Sequence, residues 1–409
     1  MVTWWKNLLM WWRARRLFDR GRENTVFVHL WRGEHDAARR MLEAADHPTN
    51  AFQLACLELE LGNFDVAERW ALRLPASDPL RTVVLELIGR RSAVPGAFRG
   101  ASASWLSSLE AAWDAAGRPD LRNHAALSAD FQKSIDVGDA TALVGSDRMA
   151  WLCMTQTQGW LPRRRPADAR AWAAEAVDRS VPELVIAFHN LTGWFEPAKT
   201  KVDATRVIDA LAVQAPRDLF VQLMRFAIRK PPFVETTVAE LEAILEACVV
   251  DGSVQQLVYD RFEHVARLAG SKSAGPLAFA GWCVTLLLPD LAYLFKLFDA
   301  TTGALQPRIA ETYLRLGRRI HEDGSLIGFL FGTTLIRRAA TVLDRQDLFD
   351  ELARYEEEVR HYVPVSNHLR LDPQMWPIPT LNCEYLERCR LGERAHFRDM
   401  LRRQGVLKA

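Results

Sequence analysis

The chain has 409 residues, 49% of them hydrophobic and 25% charged, with a formal net charge of +1. It is long enough for two or three domains or one extended array, and the ordinary globular balance supports a large buried core. Near-neutral charge argues against a general electrostatic grip on nucleic acid, so no nucleic-acid partner is expected. Six cysteines at 56, 153, 248, 283, 383 and 389 form no C-x-x-C pair. That spacing gives neither a zinc signature nor a disulfide framework, and it fits a reducing cytoplasm.

Residues 1–20 form a distinct amphipathic piece. Trp4, Trp5, Leu8, Leu9, Trp11 and Trp12 fall within one broad helical arc, with Lys6 and Arg13 opposite. Tryptophan with arginine on such a helix is the composition of an interfacial membrane anchor, which makes Trp4, Trp5, Trp11 and Trp12 candidate membrane or partner contacts. The structural alternative is that the same arc packs as the first helix of an array. No apolar stretch followed by a small-residue cleavage site marks a secretory leader.

From 21 to 91 a short pattern occurs twice. Gly33-Glu34-His35-Asp36-Ala37-Ala38-Arg39-Arg40 returns 29 residues later as Gly62-Asn63-Phe64-Asp65-Val66-Ala67-Glu68-Arg69. A glycine at the turn and a small alanine at the crossing are what a stacked helical hairpin requires. With Leu54-Ala55 ahead of Gly62, and Pro75 or Pro79 closing the unit, this region resembles the tetratricopeptide repeat. The spacing departs from that family's period of about 34 residues, and Glu58 stands where a large apolar residue is usual. The resemblance implies a groove that receives a peptide or a partner's helix, with Asn50, Gln53 and Glu60 as polar contacts.

Residues 92–103 are small and turn-rich and read as a linker. The middle region, 104–235, is mixed or helical. Its short apolar runs, Met149–Met154 and Glu183–His189, read either as strands or as buried helical segments. With a helix over 167–178 between them, they leave a small α/β element open. Arg163, Arg164 and Arg165 follow Trp160 in a loop and offer a basic contact to phosphate or an acidic protein. From 236 to 362 the helical pattern is continuous, joined by short Pro, Gly or Asp punctuation that favours antiparallel pairs. The most apolar run, Pro276 to Leu288, is shorter than the roughly 20 residues a spanning helix needs, and reads as one arm of a buried hairpin. Residues 363–382 hold four prolines and Trp376 and predict an extended strap over the surface, before a basic terminal helix over 383–409.

Two Glu-x-x-His motifs, Glu358/His361 and Glu393/His396, each place a carboxylate and an imidazole on one helical face. That is the donor pattern of di-metal helical bundles. At 100° per residue, His361 lies about 140° from its helix's apolar stripe and faces water. Glu393 falls inside the stripe of the last helix and His396 sits at its edge. Gly270-Ser271-Lys272-Ser273-Ala274-Gly275 resembles a phosphate loop superficially but lacks the required spacing, and no nucleophile elbow or dinucleotide fingerprint occurs. The sequence therefore predicts an all-α fold of stacked antiparallel hairpins and a non-catalytic adaptor that needs no cofactor. A membrane-peripheral assembly factor and a helical metalloprotein are the alternatives.

Overall fold

In the computed structural model of the chain, the described residues are 25–44, 48–93, 104–122, 124–127, 136–156, 168–194, 197–232, 234–285, 291–362 and 369–407. Among them there are nineteen α-helices and no strand or sheet, only one isolated bridge between Asp218 and Val249. The fold is all-α. Residues 1–24, with Trp4, Trp5, Trp11 and Trp12, lie outside the described residues, as does the loop with Arg163, Arg164 and Arg165.

The chain divides into two compact units. One takes its described residues from 138–270 and 277–360, the other from 25–137, 271–276 and 361–407.

The second unit opens with six helices: α1 (Thr25–Arg32), α2 (His35–Ala44), α3 (Pro48–Leu61), α4 (Phe64–Ala71), α5 (Pro79–Ser92) and α6 (Trp105–Ala115). Each packs on the next, and α3 also meets α5. The repeated sequence frame produces one repeated turn. Gly33 and Gly62 take the left-handed conformation, with φ of 71° and 78°. Gly33 N donates to the Leu30 carbonyl (3.1 Å) and Glu34 N to that of His29 (2.8 Å). Twenty-nine residues later Gly62 N donates to Leu59 (3.2 Å) and Asn63 N to Glu58 (2.8 Å). Such paired bonds close the last carbonyls of a helix, and an L side chain resists the backbone they need. Ala38 and Ala67 are fully buried at the crossings, where a larger residue would separate the helices. The repeated Asp36 and Asp65 are exposed in the first turns of their helices, where a carboxylate opposes the helix dipole.

The other unit holds α7 (Gly145–Gln156), α8 (Asp168–Ala174), α9 (Val181–Trp194), α10 (Pro197–Gln214), α11 (Leu219–Arg229), α12 (Glu235–Ala247), α13 (Ser253–Leu268), α14 (Ala274–Val284), α15 (Leu291–Ala300), α16 (Leu305–His321), α17 (Leu326–Leu343) and α18 (Gln346–Tyr362). Here α9 packs on α10 and α13, and α16 pairs with α17. The α/β element left open by the sequence is absent, because both apolar runs are helical, 149–154 within α7 and 183–189 within α9. Each run is apolar because its helix is enclosed on several sides: Met149, Ala150, Trp151, Cys153 and Met154 are all buried, as are Leu184 to Phe188. A helix enclosed all round shows no stripe, so its periodicity vanishes. The apolar 18-residue α17 is long enough to cross a bilayer, but 61% of it is buried within the fold.

Close approach between α16 and α17 depends on two glycines. A Cβ on Gly317 would stand 2.7 Å from Ile336 Cγ1, and one on Gly332 would stand 2.5 Å from His321 Cδ2 and against the Gly317 carbonyl. The two backbones touch there, and the His321 ring fills the notch left by Gly332. Gly281 of α14 makes similar room for Met154 and Phe262, whose Cγ and Cδ2 would lie 2.6 and 3.0 Å from an added Cβ.

The proline-rich stretch departs from the expected surface strap. Leu369, Leu371, Trp376 and Ile378 are buried, Trp376 completely, so its described part packs inward rather than over the surface. A short 3-10 turn at Pro373–Met375, capped by Asp372 on the Gln374 amide (3.0 Å), turns the chain inward. The last helix, α19 (Pro379–Arg403), starts earlier than the sequence boundary at 383, because proline suits the first helical position. It is also not one rod, since Gly392 has φ 171° and ψ 71° and divides it.

Candidate functional site

The second unit concentrates buried charge. Glu58, on α3, is almost wholly buried at 1% exposure. Arg39 Nε donates to its Oε1 (2.6 Å) and Asn63 Nδ2 to its Oε2 (2.7 Å). The carboxylate thus ties the first hairpin to the turn of the second, which explains an acid in a position suited to an apolar side chain. Glu58 holds the Arg39 guanidinium above its usual pKa through that hydrogen bond. A buried carboxylate survives only with such partners.

A second constellation joins α3, α5, α6 and α19. Arg91, at the end of α5, is fully buried, with its guanidinium 4.0 Å from the centre of the Trp105 ring and Nη1 3.5 Å from Ser108 Oγ. Burial lowers its pKa, and the charges of Glu384 and Glu60 oppose that shift. Glu60 accepts from Thr380 Oγ1, while its other oxygen is buried without a hydrogen-bond partner, and burial pushes its carboxyl above the usual range. Glu384 accepts from Ser104 Oγ, from Trp105 N (2.6 Å) and from Leu106 N (3.3 Å), at the start of α6. Beside these groups the Trp376 ring meets Phe52 edge-on, with centroids 5.4 Å apart. Further along, Arg403 pairs with Glu110, and Gln404 exchanges two bonds with the Leu371 backbone (3.1 and 2.8 Å).

Of the three groove residues expected from the sequence, Glu60 belongs to this constellation. Asn50 turns its amide to the Leu42 carbonyl (2.8 Å). Gln53 is half-buried on α3. Arg91, Ser104 and Glu384 escaped the sequence reading. Arg91 closes a basic helix end and Ser104 precedes an apolar run, so a capping signal was present, but nothing local pointed to a residue 280 positions away.

The Glu-x-x-His residues lie on two helices. Glu358 and His361 are both half-buried on α18. Glu393 is buried just past the Gly392 break. His396 is half-buried against the Tyr385 ring (5.2 Å); its Nε2 has no hydrogen-bond partner, and burial holds its pKa down at about 4. Among the described residues no group of three or more His, Cys, Asp or Glu side chains is arranged to hold a metal ion.

Two other polar clusters are occupied internally. His124 accepts from Ala126 N at Nδ1 (3.2 Å), which leaves Nε2 to donate to Asp78 (3.1 Å). Asp78 in turn caps α5 through Leu80 N (2.9 Å), so this His–Asp pair serves a helix end. At the phosphate-loop look-alike, Lys272 N donates to Asp136 Oδ2 (2.9 Å) and Ser273 Oγ accepts from Asp136 N (3.1 Å). Arg32 Nε donates to the same carboxylate (3.2 Å). A protein side chain fills the place an anion would take.

No family model, curated protein or solved structure matches this chain. The geometry is a set of successively packed helices against which a buried arginine, two carboxylates and aromatic rings converge with α19.

Proposed function

We propose that the chain is a non-catalytic, cytoplasmic interaction scaffold whose tetratricopeptide-like hairpins, residues 25–92, receive a segment of a partner protein. The observation that carries this reading is the 29-residue recurrence of one left-handed glycine turn with its two carbonyl-closing bonds. Repeated hairpins stack by nearest-neighbour contacts and leave an extended face. Against these helices the chain's own segment 376–391 already sits, with an aromatic anchor, Trp376, ahead of the helix and a charged centre, Glu384, on the start of α6. The chain's own packing is thus an example of what the face accommodates.

A photo-crosslinking residue placed at Gln53, Met41 or Leu72, with Val213 in the other unit as control, tests the reading in cells. Met41, Leu72 and Val213 are all exposed. The scaffold expectation is a discrete partner adduct from the hairpin positions and none from Val213. Adducts from Val213 alone, or none at any site, would remove the hairpins as the partner surface.

A further inference from the structure

The start of α6 is capped from outside its own sequence. Ser104 is the N-cap and its Oγ accepts from Ser107 N (3.0 Å). In a capping box the residue three positions on returns a carboxylate or amide to the helix start. That position is Ser107, and the carboxylate comes instead from Glu384 on α19, which takes the Ser104 hydroxyl and the Trp105 and Leu106 amides. Thr380, one turn earlier on the same face of α19, reaches Glu60 on α3. Trp376 stands ahead of both against Phe52. Residues 376–391 therefore meet the hairpins as a peptide meets a receptor, with an aromatic anchor, a central charge and polar contacts spaced along one face.

The contact also keeps two polar groups unmet. The Trp376 indole N–H and one Glu60 oxygen are buried without hydrogen-bond partners, and both regain water if the segment leaves. The helix break at Gly392 separates 379–391 from the stretch in which Arg403 pairs with Glu110. The first half of α19 is thus a mechanically distinct piece.

We propose that residues 376–391 are an intramolecular ligand of the hairpin array, latched by Glu384 on the start of α6, and that a partner helix bearing a carboxylate in the same register takes their place. This rests on the scaffold reading and adds its regulation. The array is self-occupied, and partner binding competes with the chain's own helix. Affinity for the partner is then lowered by the fraction of time the latch is shut.

The test uses the full chain carrying Glu384→Gln, a change that keeps side-chain size and removes the charge. Hydrogen exchange should rise about tenfold or more over 379–391 and 105–109, while α3 and α4 keep their protection. The opened variant should bind a labelled synthetic peptide of residues 376–391; the wild-type chain should not, and the peptide carrying Glu384→Gln should bind neither. Unchanged exchange overturns the latch. Exchange that rises equally over α3 and α4 also overturns it, because the segment is then ordinary core. An opened chain that leaves the peptide unbound overturns the ligand role. Should Glu384→Gln fail to fold, Thr380→Val removes the segment's hydroxyl bond to Glu60, leaves the α6 cap intact and is read over 379–391 in the same way. Crosslinks from Gln53 that are equally frequent in wild type and variant would retire the latch and leave the scaffold. Opening with peptide binding but no cellular adduct would retire the scaffold and leave the latch.

Discussion

The two units hold their helices together by different means. In the unit built from 25–137, 271–276 and 361–407, elements are joined through buried or half-buried charge: Glu58 with Arg39, Glu384 with Ser104 and Trp105 N, and Asp136 with Arg32 and Lys272 N. In the other, the closest contacts are steric, with Gly317 and Gly332 bringing backbones together and Gly281 admitting Met154 and Phe262. Several of its ion pairs, such as Arg337 with Glu356 and Arg338 with Asp299, lie on the surface and contribute little, while Arg261 with Asp147 is partly buried. Charge-joined contacts are directional and can be exchanged for another carrier of the same charge, whereas a glycine notch admits no substitute. The lesson is that only the first kind lends itself to competition by a partner.

The largest effect should come from breaking a buried pair. Arg39→Ala leaves the Glu58 carboxylate buried beside Asn63 alone and should cost about 4 kcal/mol in denaturant unfolding. Adding Glu58→Leu should recover most of that loss, and failure to recover would mean Arg39 acts through packing of its stem. Gly332→Ala should cost about 3 kcal/mol by forcing α16 and α17 apart, and no second substitution of a charge should recover it. If it unfolds at wild-type denaturant concentration, the steric half of the comparison is wrong.

Two smaller effects sharpen the contrast through pH. Asp218 caps α11 through Val221 N (2.9 Å), and burial, with Asp251 and Asp323 adding to it, raises its pKa to about 6. A raised carboxyl pKa favours the fold below the unfolded value near 4, and that advantage is lost as pH rises through about 6. Asp218→Asn should therefore stabilise by about 2 kcal/mol at pH 8 and by almost nothing at pH 4, read from thermal melts. His396 has the opposite sign. Its pKa is lowered to about 4, so the unfolded chain takes up the proton first and stability falls as pH drops below about 6.5. His396→Phe should remove about 1 kcal/mol of the loss between pH 7.5 and pH 5.5. Melting curves for the two variants that shift in parallel with pH would contradict both assignments.

Much of the helical framework was legible because amphipathic stripes and glycine turns are local signals. Gly33, Gly62, Ala38 and Ala67 were readable as turn and crossing from their spacing, and the structure gives each that part. The helices at 149–154 and 183–189 were ambiguous because full enclosure erases the stripe that distinguishes helix from strand. Trp376 could not be placed from sequence because a proline-rich stretch reads as surface strap until its neighbours are known. The candidate site was mostly hidden. Glu60 was picked out on α3, but Arg91, Ser104 and Glu384 come together only through long-range packing, and a glutamate in an amphipathic helix looks like any other.

The start of α6 waits for a residue 280 positions later, and this has a consequence during synthesis. Ribosomes release a chain from its N-terminus, and domains generally fold as they emerge. Helices α1 to α6 leave the exit tunnel long before Glu384 and Trp376 exist, whereas the described parts of the other unit are all made by residue 360. The nascent hairpins therefore pass through a stage with Phe52, Glu60 and Arg91 uncovered, and their completion waits for Trp376, Thr380 and Glu384. A chain halted between residues 360 and 376 would hold one finished unit and one left uncapped, a product that quality-control proteases are suited to recognise.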